Sequence, residues 1–292
     1  MEGATHEGSS RPAPFRPQPA IKFGICNEIF QGWEIDAALK YAVEAGYDGV
    51  ELAPFTLGRT VTEISAAQRQ HIRDSAARFN IEICGLHWLL AKTEGLHLSH
   101  PDAAVRGRTG IYLRDLVDCC ADVGGKVLVL GSPRQRNILP GVSAEQAWQW
   151  TATTLQDALK QAEERNVVLC LEPLAPAETN FINSAAEAIR FTQQFPGPAF
   201  KIILDVKAMC AEPGPIDQII RQSSPHFAHF HANDRNLKGP GFGDVDYRPI
   251  AAALAATGYS GFVSVEVFKF EEGPEAIARR SISYLQKMFP KK

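Results

Sequence analysis

Four side chains able to hold a divalent cation recur in the second half of the chain, each at the end of a short apolar run. Glu172 follows VVLCL, Asp205 follows KIIL, His231 closes FAHFH and Glu266 follows FVSV. Side chains alternate faces along an extended strand. Val168, Cys170 and Glu172 therefore share one face, as do Ser264 with Glu266 and His229 with His231. Three carboxylates and an imidazole make an oxygen-rich set suited to Mn²⁺ first, with Mg²⁺, Co²⁺ or Zn²⁺ as alternatives. Burying that many carboxylates without a cation is strongly unfavourable, so one shared ion is expected. Open positions on such an ion would take adjacent oxygens of a substrate, polarise a carbonyl and stabilise enediolate-like charge. His229 reads as a hydrogen-bonded interior histidine, not a ligand.

These residues can meet only if the strands that carry them lie side by side. From Ile21 onward the chain alternates short apolar runs with longer stretches of helical spacing. The runs are IKFGIC (21–26), GVEL (49–52), IEICGLHW (81–88), KVLVLG (126–131), VVLCLEP (167–173), KIILDV (201–206), FAHFH (227–231) and FVSVEVF (262–268). Several are apolar almost throughout, as in parallel strands covered on both faces. Helical stripes run through Ile35–Val43 and Tyr112–Cys120, and Ser143 with Gln146 forms a possible capping box. Further helices are expected over 184–194, over 217–224 and from Pro274 onward. Eight strand–helix repeats predict an α/β fold of the (β/α)8 TIM-barrel type, one domain over residues 21–292. A doubly wound sheet is the rival, but neither GxGxxG nor GxxxxGK[ST] is present. In a barrel, chemistry sits at the C-terminal ends of the strands, where all four candidate ligands fall.

Composition narrows the field of partners. The 292 residues carry 30 basic and 33 acidic side chains, a net charge of −3, which argues against binding nucleic acid or an anionic membrane by bulk charge. No apolar run approaches the length that spans a bilayer. Residues 1–20, rich in Pro, Gly and Ser and without the apolar core of a signal peptide, read as a flexible tail. The six cysteines form no CxxC pair and are expected to be reduced thiols of a cytoplasmic protein.

The segments LEPLAPAETNFIN (171–183), ILDVKAM (203–209), HFHANDRNLKGPGFGDVDY (229–247) and VSVEVF (263–268), with weaker support from GLHWLL (85–90), resemble the xylose-isomerase-like barrels. That family holds ketose 3-epimerases, hydroxypyruvate isomerase, inosose dehydratase, 3-dehydroshikimate dehydratase and, more distantly, endonuclease IV. The resemblance implies Glu172, Asp205, His231 and Glu266 as metal ligands. It also implies Glu172 and Glu266 as an acid/base pair that moves a proton at the carbon next to a sugar carbonyl. Glu178 matches a glutamate that contacts substrate oxygen in several ketose epimerases. Two positions depart from those enzymes: Ala208 stands where they often have histidine, and Leu237 where they often have arginine, with Arg235 two residues earlier. The GDVDY loop lacks the histidine that a trinuclear zinc site of the endonuclease IV type requires, so DNA repair is a remote alternative.

Other polar and aromatic residues follow the strands closely enough to face a substrate. Asn27, Glu28, Glu51, His87, Trp88 and Lys207 are among them, and Arg235 adds a cation. Trp33 and Trp88 offer apolar faces to a sugar ring, and Arg134 and Arg136 offer a grip for phosphate or carboxylate. Trp148 and Trp150 read as core or interface residues. The leading expectation is a metal-dependent isomerase or epimerase of a small sugar or keto-polyol. The second is a lyase acting on an inosose, a dehydroshikimate-like compound or a 3-keto-glycoside, with His87 as the added acid that would favour elimination. A non-catalytic sugar-binding barrel is the third. Homo-oligomers are common among the relatives, and no nucleic acid or membrane partner is expected.

Overall fold

Parallel strands buried on both sides form wherever the sequence runs apolar for four to six residues. The computed structural model describes residues 21–289, so the expected tail over 1–20 lies outside the described residues. The strands are β1 (Lys22–Cys26), β2 (Gly49–Leu52), β3 (Glu82–Leu86), β4 (Val127–Leu130), β5 (Val168–Leu171), β6 (Phe200–Asp205), β7 (Phe227–Ala232) and β8 (Phe262–Val265). They form a closed barrel in chain order, every neighbouring pair parallel, with β8 returning to β1 through Lys22↔Phe262 to Ile25↔Val265. The expected (β/α)8 architecture is thus what the chain adopts.

Helices α1 (Ile35–Ala45), α2 (Ala66–Phe79), α3 (Ala103–Asp122), α4 (Ala144–Glu164), α5 (Ala185–Thr192), α6 (Val206–Met209), α7 (Ile216–Ser223), α8 (Tyr247–Thr257) and α9 (Pro274–Met288) wrap the outside. Local signals set several boundaries. The Ser143 hydroxyl accepts from Gln146 N at 3.1 Å while the Gln146 side chain accepts from Ser143 N at 2.9 Å, so the capping box that opens α4 is complete. Gly46 ends α1 at φ 104°, a left-handed turn that glycine adopts without strain. Pro274 starts α9 in its first turn. The short segment expected over 217–224 is α7, Ile216–Ser223.

Two hydrophobic compartments result. The large one lies between sheet and helices and includes an aromatic cluster around Phe191, whose ring centroid is 4.8 Å from that of Trp148 and 6.0 Å from that of Phe200. Trp148 is half-buried and packs against this core. Trp150 is half-buried, under the Arg106 guanidinium. The second compartment is the barrel interior, where Val129, Cys170 and Ile203 meet from three adjacent strands. Cys170 and Ile203 point inward, so by period-two alternation Glu172 and Asp205 project inward two residues further on. Among the described residues no helix is long and apolar enough to cross a membrane.

Candidate active site

Above the apolar floor of the barrel, the side chains of Glu172, Asp205, His231 and Glu266 meet. All four are buried, and each offers one ligand atom that lies within 4.8 Å of the others. Glu172 and Glu266 stand immediately after β5 and β8, Asp205 ends β6 and His231 lies near the end of β7. Consecutive strands therefore deliver them in the order the sequence suggested. Gly131, just beyond β4, makes room: a Cβ there would fall 1.7 Å from Glu172 Oε2.

Hydrogen bonds fix the orientation of His231, Asp205 and Glu266. Both Glu51 oxygens lie 3.2 Å from His231 Nε2, which leaves Nδ1 facing the cluster. The same carboxylate meets His229 Nε2 at 2.8 Å, so His229 is the interior histidine anticipated. Asp205 accepts from Ala208 N at 2.7 Å and from Asn233 Nδ2 at 2.5 Å, while Asn233 in turn accepts from Lys207 N at 2.7 Å. Trp88 Nε1 donates to Glu266 Oε1 at 2.8 Å, and His87 Nδ1 stands 3.4 Å from the same oxygen. His87 Nε2 meets Glu28 at 2.8 Å. Glu28, Glu51 and Asn233 form an outer layer of the kind that sets ligand tautomer and geometry around a metal.

The donor set fits a cation on a structural test. His231 Nδ1 and Glu266 Oε2 approach to 3.1 Å, yet both are buried and neither makes a hydrogen bond. Two buried ligand atoms facing one another beside two more carboxylates form a donor set that a bound ion would satisfy.

Charge perturbations follow from the crowding. Burial, then repulsion from Glu266 and Asp205, pushes Glu172 from 4.5 to about 8. Burial also raises Asp205, with Lys207 pulling the other way. Burial opposes ionisation of Glu266, but the charges of His231 and His87 outweigh it and hold Glu266 below the usual carboxylate range. Burial opposes charging of His231 as well, yet Glu266 and Glu51 lift it well above 6.5.

A cavity of about 490 Å³ opens beside Glu172 and is bounded by Trp88, Glu178, Lys207 and Phe268. Lys207 Nζ donates to Glu178 Oε1 at 2.7 Å and sits 4.0 Å from the Phe268 ring centroid. Four residues expected to face substrate thus do line this space: Trp88, Glu178, Lys207 and the more exposed Arg134. Others are placed elsewhere. Asn27 is engaged by Thr56 and Ala53 N, each at 2.7 Å, and borders a different cavity together with Trp33. Arg235 is exposed and faces Asp244 at 3.6 Å. Glu28, Glu51 and His87 lie behind the ligands. Arg136 is not an anion grip: it is fully buried and donates to the backbone oxygen of Glu172 at 2.6 Å. The sequence signal for Arg136 was ambiguous because surface and buried arginines look alike in a loop. Asn233, two residues past His231, was missed.

Comparison with known proteins identifies the family. The family described as xylose isomerase-like TIM barrel matches residues 39–288, and the chain belongs to it. The D-psicose 3-epimerase of Agrobacterium fabrum is 32% identical over 259 residues, covering 85% of each chain. The 3-dehydro-D-guloside 4-epimerase of Escherichia coli is 24% identical over 273 residues, 91% of this chain and 99% of its own. The crystal structure of D-psicose 3-epimerase from Clostridium cellulolyticum superposes with a TM-score of 0.80 at 22% identity, covering 92% of this chain and 99% of that one, a likeness of fold. Within the family the chain stands with enzymes of the isomerase/epimerase kind.

Proposed function

We propose that this protein is a divalent-metal-dependent sugar epimerase or isomerase that moves a proton at the carbon beside a carbonyl. The observation that carries the reading is the convergence of Glu172 and Glu266 on one buried cluster from strands three places apart around the barrel. Glu172, Asp205, His231 and Glu266 would hold the ion. When bound, the ion would orient neighbouring oxygens of the sugar and draw electron density from its carbonyl, which acidifies the adjacent C–H.

The chain's own residues supply the rest. One of the two glutamates takes the proton and the other returns one to the opposite face or a neighbouring carbon. Trp88 fixes the Glu266 carboxylate through its Oε1, so that group meets the sugar in one orientation. Lys207 and Glu178, already paired, are placed to bind sugar hydroxyls at the inner end of the cavity. Trp88 and Phe268, with centroids 5.9 Å apart and planes 29° apart, screen the acid/base groups from water. The lyase alternative drew on His87 as a free acid. Both His87 nitrogens instead face carboxylates, which favours the epimerase reading. Six free thiols, five of them buried, fit a reducing cytoplasmic setting.

The test is a panel of keto-sugars in D₂O with Mn²⁺-supplied protein whose bound metal has been measured. Deuterium should enter beside the carbonyl without loss of water, and Glu172→Gln or Glu266→Gln should slow exchange by about 10²–10⁴-fold. Undiminished exchange in either variant removes the mechanism, and an unsaturated product absorbing in the ultraviolet moves the enzyme to the lyases.

A further inference from the structure

We infer that Arg136 is a positioning residue for Glu172: its guanidinium replaces the strand rung that β4 gives up to admit the Glu172 carboxylate. The inference rests on the function proposed above, in which Glu172 is both a ligand and an acid/base group. The β4–β5 ladder runs from Val127↔Val168 to Leu130↔Leu171, and Glu172 N adds a rung by donating to Leu130 O at 3.2 Å. In a parallel ladder a residue that donates to one partner accepts, at its own carbonyl, from the residue two further along the same neighbouring strand. Continued, that pattern would bring Ser132 N to Glu172 O. Instead β4 ends at Leu130. The next residue, Gly131, lies so close to the acid that a Cβ would fall 1.7 Å from Glu172 Oε2. Admitting the carboxylate thus coincides with losing the rung, and the carbonyl of a buried residue needs another donor.

Arg136 supplies it. Nη2 donates to Glu172 O at 2.6 Å and Nη1 to Leu130 O at 3.4 Å, so one guanidinium spans the last residue of β4 and the first residue after β5. The side chain is fully buried and its Nε has no partner. Burial pulls its pKa down to about 10, and Glu172, Glu178 and Glu187 oppose this only through space, so it is an unpaired cation at neutral pH. Burying such a charge is strongly unfavourable, and an apolar chain of the same length would fill the space better. The guanidinium is therefore there for its donors, not for its bulk.

The segment that carries Arg136 is pinned on both sides. On the β3 side, Ser132 Oγ accepts from Leu90 N at 3.0 Å and Gln135 O accepts from Leu98 N at 2.8 Å. Toward β5, Ile138 N donates to Asn180 Oδ1 at 2.7 Å, and Asn137 Oδ1 accepts from Thr179 Oγ1 at 2.8 Å. Arg136 thus acts from a fixed base on the main chain of Glu172, and through it on the direction of the carboxylate.

Calorimetry of the full chain with Mn²⁺ alone is the first readout, and solvent exchange on D-fructose and 3-ketoglucose in D₂O is the second. Arg136→Met keeps an unbranched chain of similar length without the donors. It should weaken Mn²⁺ binding and lower kcat for exchange, each by about 10–100-fold, with KM within about twofold. Arg136→Lys, which can reach one carbonyl of the two, should fall between that variant and the parent. The direction is diagnostic, because removing a cation near the cluster would by charge alone tighten Mn²⁺ binding. Unchanged or tighter Mn²⁺ binding in Arg136→Met overturns the inference, and so does a KM that rises as far as kcat falls, the mark of a distorted sugar cavity. If Arg136→Met does not fold, Arg136→Lys decides alone: Mn²⁺ bound severalfold more weakly sustains the inference, and parental affinity overturns it. If the parent binds Mn²⁺ yet exchanges neither sugar, that counts against the epimerase, while the Mn²⁺ arm still judges Arg136.

Discussion

With the proposed ion chelated away, stability should fall as pH rises, the opposite of acid denaturation. Without an ion, Glu172 faces Glu266 and Asp205 in a buried space; burial first, then those two charges, lift it from 4.5 to about 8. Between these values the folded chain keeps a proton that the unfolded chain has released. More protons bound in the folded state means that stability falls with rising pH, by about 1.4 kcal/mol per pH unit. Across the whole interval from 4.5 to about 8 the loss is about 5 kcal/mol. His231 and His87 act in the same direction. Burial opposes their charging, but Glu266 and Glu51 around the one, and Glu28 and Glu266 around the other, raise both well above 6.5. The stability they lend is complete below 6.5 and is lost as pH climbs through the folded values. Glu266 and Glu51 are held below 4.5, are ionised in both states over this interval, and contribute a slope only in more acidic solution. A cation needs both Glu172 and His231 deprotonated, so its binding expels protons and its affinity grows at least about tenfold per pH unit. Thermal melts from pH 5 to 8, chelated and Mn²⁺-saturated, provide the assay. At ~2–4 °C per kcal/mol Glu172 alone lowers the chelated midpoint by about 3–6 °C per pH unit, the two histidines steepen the fall above 6.5, and the gap to the Mn²⁺ curve should widen. Parallel curves, or a gap that narrows toward pH 8, refute the reasoning.

Two further outcomes follow from the same packing and hydrogen bonds. Glu51→Gln removes the charge behind His231 Nε2, so Mn²⁺ affinity measured by calorimetry should weaken by about 10–100-fold while the fold persists; unchanged affinity contradicts the outer-layer role. Phe191→Ala empties a fully buried site ringed by Trp148, Phe195 and Phe200 and should cost about 3–5 kcal/mol in urea denaturation, whereas a loss below about 1 kcal/mol contradicts the packing described.

The barrel was legible because its strands are buried on both faces and so read as unbroken apolar runs, and GVEL at 49–52 matches β2 residue for residue. Helices α2 and α8 went unnamed for opposite reasons. The α2 sequence AAQRQHIRDSAARF is too polar to show an apolar stripe, and the α8 sequence YRPIAAALAAT is too small and uniform, with a proline in its first turn. Within the site, alternation identified the inward face of β5 to β8 and therefore the four converging side chains. It could not assign depth. Glu51 and His87 also end strands, but the stagger between neighbouring strands, including the register shift in β2–β3 at Val50/Glu51, places them behind the cluster. Asn233 escaped notice because its partners, Asp205 and Lys207 N, lie on another strand's end.

The four proposed ligands stand on or directly after β5 through β8, whereas β1 to β3 and the segments after them supply Glu28, Glu51, His87 and Trp88. The two halves must therefore be inherited together: a first half taken from a kindred gene would reset the groups behind His231 and Glu266 even with every proposed ligand unchanged.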